Sequence, residues 1–175
     1  YKKITKTNSY YGDAKLKSTN FLISYFKKYN FPCKIIRVYL CYGPGQDYNR
    51  LIPVTTKACL KNKKFECSSG IQSRDFIFIS DLVSLIYLAI KNKNSNGEIF
   101  NAGNGKPYKL KYIINLIKTK SGGGHPNFGS IKLRKDESLE FFSNIKKSTK
   151  ILKWRPKIKI NEGIDLVIKS LKKYV

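Results

Sequence analysis

Two side chains near the front of the chain could share one chemical task. In "SYYGDAKLKS", residues 9 to 18, Tyr11 stands four positions before Lys15. A helix turns once in about 3.6 residues, so the phenol and the ammonium point the same way and can reach one ligand. A free phenol titrates at about pH 10 and is a poor base in neutral water. A nearby cation favours the phenolate and lowers that value. The pair could therefore move a proton. It could equally be an aromatic residue and a lysine meeting by chance on an ordinary amphipathic helix. Tyr10 is the adjacent rival, but its spacing to Lys15 turns it to another face.

The elements that must position this pair alternate along the chain. Recurrence of Tyr11, Lys15, Ser18, Leu22 and Tyr29 at helical steps predicts a helix over residues 10 to 30, ended by Pro32. "CKIIRVYLCY" follows as one buried strand, broken by the turn "GPGQ". A helix is expected over 51 to 62, then a strand in "SRDFIFIS" and an apolar helix in "DLVSLIYLAIKN". "GEIFNAG" reads as a strand, and "KLKYIINLIKTK" as a helix after a polar turn. "SGGGHPNFGS" is by composition the most flexible stretch. Helices near "NIKKSTKIL" and over "NEGIDLVIKSLKKYV" close the chain. Such alternation implies an α/β layered architecture with mostly parallel pairing.

Composition limits the function classes. The chain has 175 residues, enough for one domain, with 41% hydrophobic and 13% aromatic residues, as in a folded globular protein. No apolar run reaches the roughly 20 residues of a membrane span, and the polar opening "YKKITKTNSYYGD" is no secretion signal. A chain without any methionine is expected to be a piece of something longer. The formal charge of +24 invites a nucleic-acid reading, but the lysines are spread over every segment and form no dense block. A solvated lysine coat is the expectation, with neither a nucleic acid nor a membrane as partner.

Cys33, Cys41, Cys59 and Cys67 show no C-x-x-C spacing, and His125 is the one histidine. Reduced thiols, no metal site and a cytoplasmic protein are expected. His125 beside a glycine run reads as a mobile loop position. Trp154 is expected to pack a helix end onto the core. Asp136 and Glu137 are neighbours that would point apart, so they do not read as an acid/base dyad.

The order "YGDAK", "RVYLCYGPGQ", "NRLIP", "SRDFIFISDLV", "GEIFNAGNGKP", "LRKDE", "ILKWRPKIKINEGI" resembles the extended short-chain dehydrogenase/reductases that act on nucleotide sugars. These are NAD-dependent epimerases, 4,6-dehydratases and 4-ketoreductases. The likeness covers only the family's second half, because the Gly-rich turn that holds the dinucleotide pyrophosphate is missing. The resemblance implies the C-terminal part of a Rossmann-like doubly wound sheet plus a smaller α/β substrate-binding subdomain. Residues 1–45 would carry the Tyr/Lys helix and its strand, and 46–175 the nucleotide-sugar-binding region with interleaved Rossmann elements.

The resemblance also implies roles. Tyr11 and Lys15 would be catalytic, with Tyr11 moving a proton at a sugar hydroxyl and Lys15 holding the nicotinamide ribose. The cofactor would be NAD, or NADP, in the complete enzyme, with Leu40 and Cys41 beside it. Leu40 stands where the family usually carries asparagine, so Tyr39, Leu40 and Cys41 could equally be strand core. Arg50, Leu51, Phe65, Cys67, Arg74 and Arg134 would bind a nucleoside diphosphate sugar. Guanidinium suits a diphosphate better than ammonium, so arginines kept among so many lysines carry information. Each could instead be a surface group or an ion pair, for instance Arg74 with Asp75 or Asp81. A homodimer is implied for the complete enzyme. The alternative is a non-catalytic nucleotide-sugar-binding fragment or relic.

Overall fold

The computed structural model describes residues 9–134 and 137–174. The first element is helix α1, Tyr10–Tyr29. Its N-terminus is capped by Ser9, whose hydroxyl accepts from the Gly12 amide at 3.0 Å. Its end is set by Asn30, left-handed at φ 53, whose amide reaches the Phe26 carbonyl. No residue of α1 is buried. The helix touches the body near its C-terminus, where the Cys33 thiol donates to the Leu22 carbonyl and the Phe26 ring covers Gly97.

Strands β1, Ile35–Val38, and β2, Leu40–Tyr42, follow. The sequence predicts one buried strand here, and the structure divides it. β1 pairs in parallel with β5, Ile99–Ala102, whereas β2 pairs in parallel with β4, Ser73–Phe78. The run changes partner at Tyr39, whose amide still donates to the Ala102 carbonyl. Nor is the run buried throughout, for Val38 and Leu40 are about half exposed.

β4 is the spine of the molecule. Its second half carries β2, while its first half lies between antiparallel β6, Pro107–Lys109, and parallel β8, Glu140–Phe141. Alternate residues of a strand face opposite ways. Phe76 and Phe78 therefore meet Tyr42 and three amphipathic helices: α2, Leu51–Leu60; α4, Leu110–Ser121; and α6, Ile160–Leu171. On α6 the buried residues Ile160, Ile164, Val167, Ile168 and Leu171 recur every three or four positions, one apolar stripe. Ile77, on the opposite face of β4, meets Leu85 and Ala89 of α3, Ile79–Lys91, and Leu152 of α5, Lys146–Leu152. Trp154 is buried with this second cluster, its indole N–H donating to the Asp81 carbonyl and the Ser84 hydroxyl.

The glycine-rich stretch departs from expectation. β7, His125–Phe128, lies inside it and pairs in parallel with β3, Lys64–Cys67, placing an exposed His125 in a strand. Glycines frame β7 without preventing it, because Gly124 fits against Cys59, where a Cβ would lie 2.7 Å from the thiol sulfur. All four cysteines are free. Among the described residues, no helix is long and apolar enough to cross a membrane.

Asp75, the residue before Phe76 on β4, is fully buried and faces away from the two aromatic side chains. Its carboxylate accepts from the amides of Asn104 at 2.7 Å, Gly105 at 3.0 Å and Ser143 at 3.0 Å, and from the Ser143 hydroxyl. Gly103 must be glycine for this approach, since a Cβ there would fall 2.5 Å from the carboxylate. Asp75→Ala leaves the buried Ser143 amide and the half-buried Asn104 and Gly105 amides without their acceptor, at a cost of roughly 1–3 kcal/mol for each that water cannot reach. Urea unfolding should show a loss of at least about 3 kcal/mol; a loss under about 1 kcal/mol would remove Asp75 from this role.

Candidate functional site

A cleft of about 540 Å³ opens at the point where the turn after β2 meets the start of α2. One wall is the strand itself, Tyr39 to Tyr42, backed by Phe76 of β4. The other is the segment Gln46, Asn49, Arg50, Leu51 and Ile52. Gly45, at φ 78, makes the intervening turn, a conformation that glycine adopts without strain. Gln46 then folds back, its side-chain amide donating to the Cys41 carbonyl at 2.7 Å. Four sequence-predicted residues, Leu40, Cys41, Arg50 and Leu51, come together in this one cleft.

Its electrostatics favour an anion. Among the described residues, Arg50 is the sole charged one in the lining, and it also precedes the first turn of α2, which carries no acidic residue. The unpaired amides of a helix start present partial positive charge to the same space. Apolar Leu40 and Leu51 with the rings of Tyr39 and Phe76 provide flat surface for an uncharged body.

The other two predicted arginines, Arg74 and Arg134, are not among the residues that line the cleft. Arg74 lies two residues before Phe76, on the same face of β4. Its register partner Phe141 stacks on Tyr39, with centroids 4.9 Å apart, which connects that edge to the cleft wall. The Arg74 guanidinium pairs with Glu137 and donates to the carbonyls of Ser73 and Ser138, each at 2.8 Å. The alternative partners do not apply: Asp75 faces the other way, and Asp81 accepts from the amides of Lys157 and Ile158. Glu137 also brings Arg134 near, because its amide donates to the exposed Arg134's carbonyl at 3.1 Å. Asp136, read with Glu137 as a carboxylate pair, lies outside the described residues.

Three predicted groups stay apart from the cleft. Phe65 packs against the helical core, and Cys67 is buried, its amide donating to the Ser130 hydroxyl. Tyr11 and Lys15 do not line the cleft. They lie together on the outer surface of α1, the Lys15 ammonium 5.4 Å from the Tyr11 ring centroid and Tyr11 73% exposed. The helical spacing thus gives the shared face that the sequence predicts.

Sequence reasoning missed Gln46, Asn49 and Glu137. Gln46 and Asn49 flank the turn between two motifs, a position that could have signalled them. Glu137 matters only because β8 brings it to Arg74, which no local pattern reveals.

A mostly parallel sheet with helices on both faces, and with its cleft at the carboxyl end of a strand and at a helix start, defines an α/β protein of the doubly wound type. Residues 1–103 match the NAD dependent epimerase/dehydratase family, and the chain belongs to that family. It is 33% identical over 167 residues to human dTDP-D-glucose 4,6-dehydratase, covering 90% of this chain and 47% of that protein. CDP-abequose synthase of Salmonella muenchen is 30% identical over 136 residues, covering 76% of this chain and 46% of that one. The structure of a UDP-glucose 4-epimerase from Thermotoga maritima superposes with a TM-score of 0.89 at 24% identity, over 96% of this chain and 55% of that one. The chain therefore spans about half the length of the relatives it matches. Its fold is that of the Rossmann-like epimerases and dehydratases.

Burial pushes the Cys41 thiol above its ordinary range, so less thiolate exists at pH 8 than for a free cysteine. Iodoacetamide should label Cys41 more slowly than an unfolded peptide at pH 8, and the rate should climb as pH rises through 9 and beyond. Saturating UDP, used as a probe for the cleft, should slow labelling further. Labelling unaffected by UDP would count against occupancy beside Cys41.

Proposed function

We propose that this chain carries the Tyr/Lys pair and the nucleotide-sugar-binding region of an NAD-dependent epimerase or 4,6-dehydratase-type enzyme. The observation that carries the reading is the cleft at the head of α2, where Leu40, Cys41, Arg50 and Leu51 meet. Residues 1–45 supply the proton-moving helix and one cleft wall, and residues 46–175 supply the remaining wall and the arginines. The diphosphate lies against Arg50 and the helix start, with Arg74 and Arg134 at its outer side. For a ligand to engage Arg74 bidentately, Glu137 must yield part of its hold. The sugar extends from the diphosphate toward Leu40.

NAD fits the exposed pair: Tyr11 and Lys15 sit side by side and uncovered, a phenol and an ammonium suited to ribose hydroxyls. A nicotinamide cofactor held there would supply hydride chemistry at a sugar carbon. Lys15 holds the ribose and favours the Tyr11 phenolate. Tyr11 exchanges a proton with the sugar hydroxyl. Leu40 and Cys41 exclude water beside the reacting end. The 175 residues contain no Gly-rich strand-to-helix turn for the dinucleotide pyrophosphate, so hydride chemistry requires that part from elsewhere.

Three outcomes are expected. Calorimetry with UDP on Arg74→Ala should show a loss of at least about 1.5 kcal/mol, the scale of a charged hydrogen bond; unchanged affinity would remove Arg74 from the site. In an enzyme uniting this chain with a dinucleotide-binding half, Tyr11→Phe should keep cofactor affinity and cut turnover by roughly 100-fold to 10,000-fold. A rate within a factor of about three of the parent would sink the proton-transfer role. The homodimer of that enzyme should use α1, whose Phe21, Tyr25 and Tyr29 form an exposed ring cluster with centroids 5.6 Å and 4.6 Å apart. Uncovered apolar surface of this kind promotes association. Sedimentation should therefore show concentration-dependent self-association that Phe21→Ser with Tyr25→Ser weakens, and a clean monomer at high concentration would refute it.

A further inference from the structure

A second cavity, of about 500 Å³, opens on the other side of the molecule's core from the helix-start cleft, in the layer of α5. It is lined by Ile145, Lys146, Thr149, Lys150, Arg155 and Pro156. Which face of α5 is already in use determines its chemistry. Ser148 and Leu152 are buried, and the Ser148 hydroxyl donates to the Asn101 carbonyl at 2.9 Å. Residues three and four apart on a helix are neighbours, so Lys146, Thr149 and Lys150 share one outward face. The helix ends at Lys153, left-handed at φ 52, and the chain turns back. Buried Trp154, bonded to the Asp81 carbonyl, fixes that return and holds Arg155 and Pro156 as the facing wall.

The cavity therefore gathers two ammonium groups, one guanidinium and one hydroxyl between two apolar residues. Among the described residues, no carboxylate lines it. The acidic groups close by are engaged elsewhere: Glu98 pairs with Lys147, and Asp81 accepts from the Lys157 and Ile158 amides. Like charges spaced by four on a helix repel, and Arg155 adds a third. A bound anion would relieve that repulsion. Arg155 is also one of only five arginines among 35 basic residues, so the site is not a random sample of the lysine coat. A guanidinium fork with flanking ammonium groups is the donor set of a phosphate group. The volume falls within the roughly 300–1,000 Å³ of small-molecule sites.

We propose that this cavity binds a small phosphorylated molecule at a site separate from the helix-start cleft. Arg155 engages the phosphate, Lys146 and Lys150 neutralise its charge, and the Thr149 hydroxyl donates to a phosphate oxygen. Ile145 and Pro156 hold the uncharged body.

Pyrophosphate is the probe, titrated at about 150 mM salt to screen diffuse attraction and followed by amide chemical shifts. The Arg50→Ala variant is used alongside the parent chain, so that a second site is read whether or not the helix-start cleft takes a diphosphate. The expected result in both is a saturable set of shifts at residues 145 to 156, accompanied in the parent chain by a second set around the helix-start cleft that Arg50→Ala diminishes. Arg155→Ala and Lys150→Glu should weaken the binding at 145 to 156 at least tenfold. Lys17→Glu, which removes a lysine from exposed α1, should change it less than twofold. Circular dichroism on each variant verifies the fold, since all three side chains are exposed. Absence of saturable binding in Arg50→Ala overturns the proposal, as does equal weakening by Lys17→Glu. Preference for a single-stranded oligonucleotide, with no saturable pyrophosphate binding, likewise overturns it.

Discussion

The buried Asp75 carboxylate accepts three backbone amides and a hydroxyl from two separate loops, and the arrangement on both sides of β4 depends on that gathering. A carboxylate taken out of water is tolerated only where donors replace its hydration. Here the donors are the amides of the turn after β5 and of the segment leading to α5. Satisfying the charge therefore fixes two loops to the central strand. Once Ser143 is held, the neighbouring Phe141 lies in register with Arg74 and stacks on Tyr39. A cleft wall is thus set by a hydrogen-bonded side chain on the far side of the strand.

β4 serves both layers by strict alternation. Its aromatic positions join the three-helix cluster beneath the cleft, and Ile77 joins the cluster of α3 and α5. A one-residue slip would send Asp75 into the aromatic layer and Phe76 among the amides. Register, more than any single contact, keeps Arg74 and the cleft on the same side.

Charge is distributed with similar economy. Most lysines are solvated, and the +24 balance says little by itself. The arginines behave differently. Arg50 stands at a helix start, Arg74 holds Glu137, and Arg155 faces the cavity of α5. A planar, always-charged fork with several donors suits such positions better than a point charge on a flexible stem.

Local chemistry made much of this legible before any coordinates. The spacing of Tyr11 and Lys15, the alternation of strands and helices, the closing helix and the turn at "GPGQ" each follow from neighbours within a few residues, where periodicity and backbone preference act. Family membership followed from motifs in order. The tertiary structure alone decided the rest. The run at 35–42 changes partner because β5 meets its first half and β4 its second, and the glycine-rich stretch becomes β7 because β3 offers an edge. Arg74 pairs with Glu137, not with its sequence neighbour, because adjacent strand residues face opposite ways. Such outcomes are pairings across 60 or so residues of chain, and a pattern read along the sequence holds no information about which distant edge will be free.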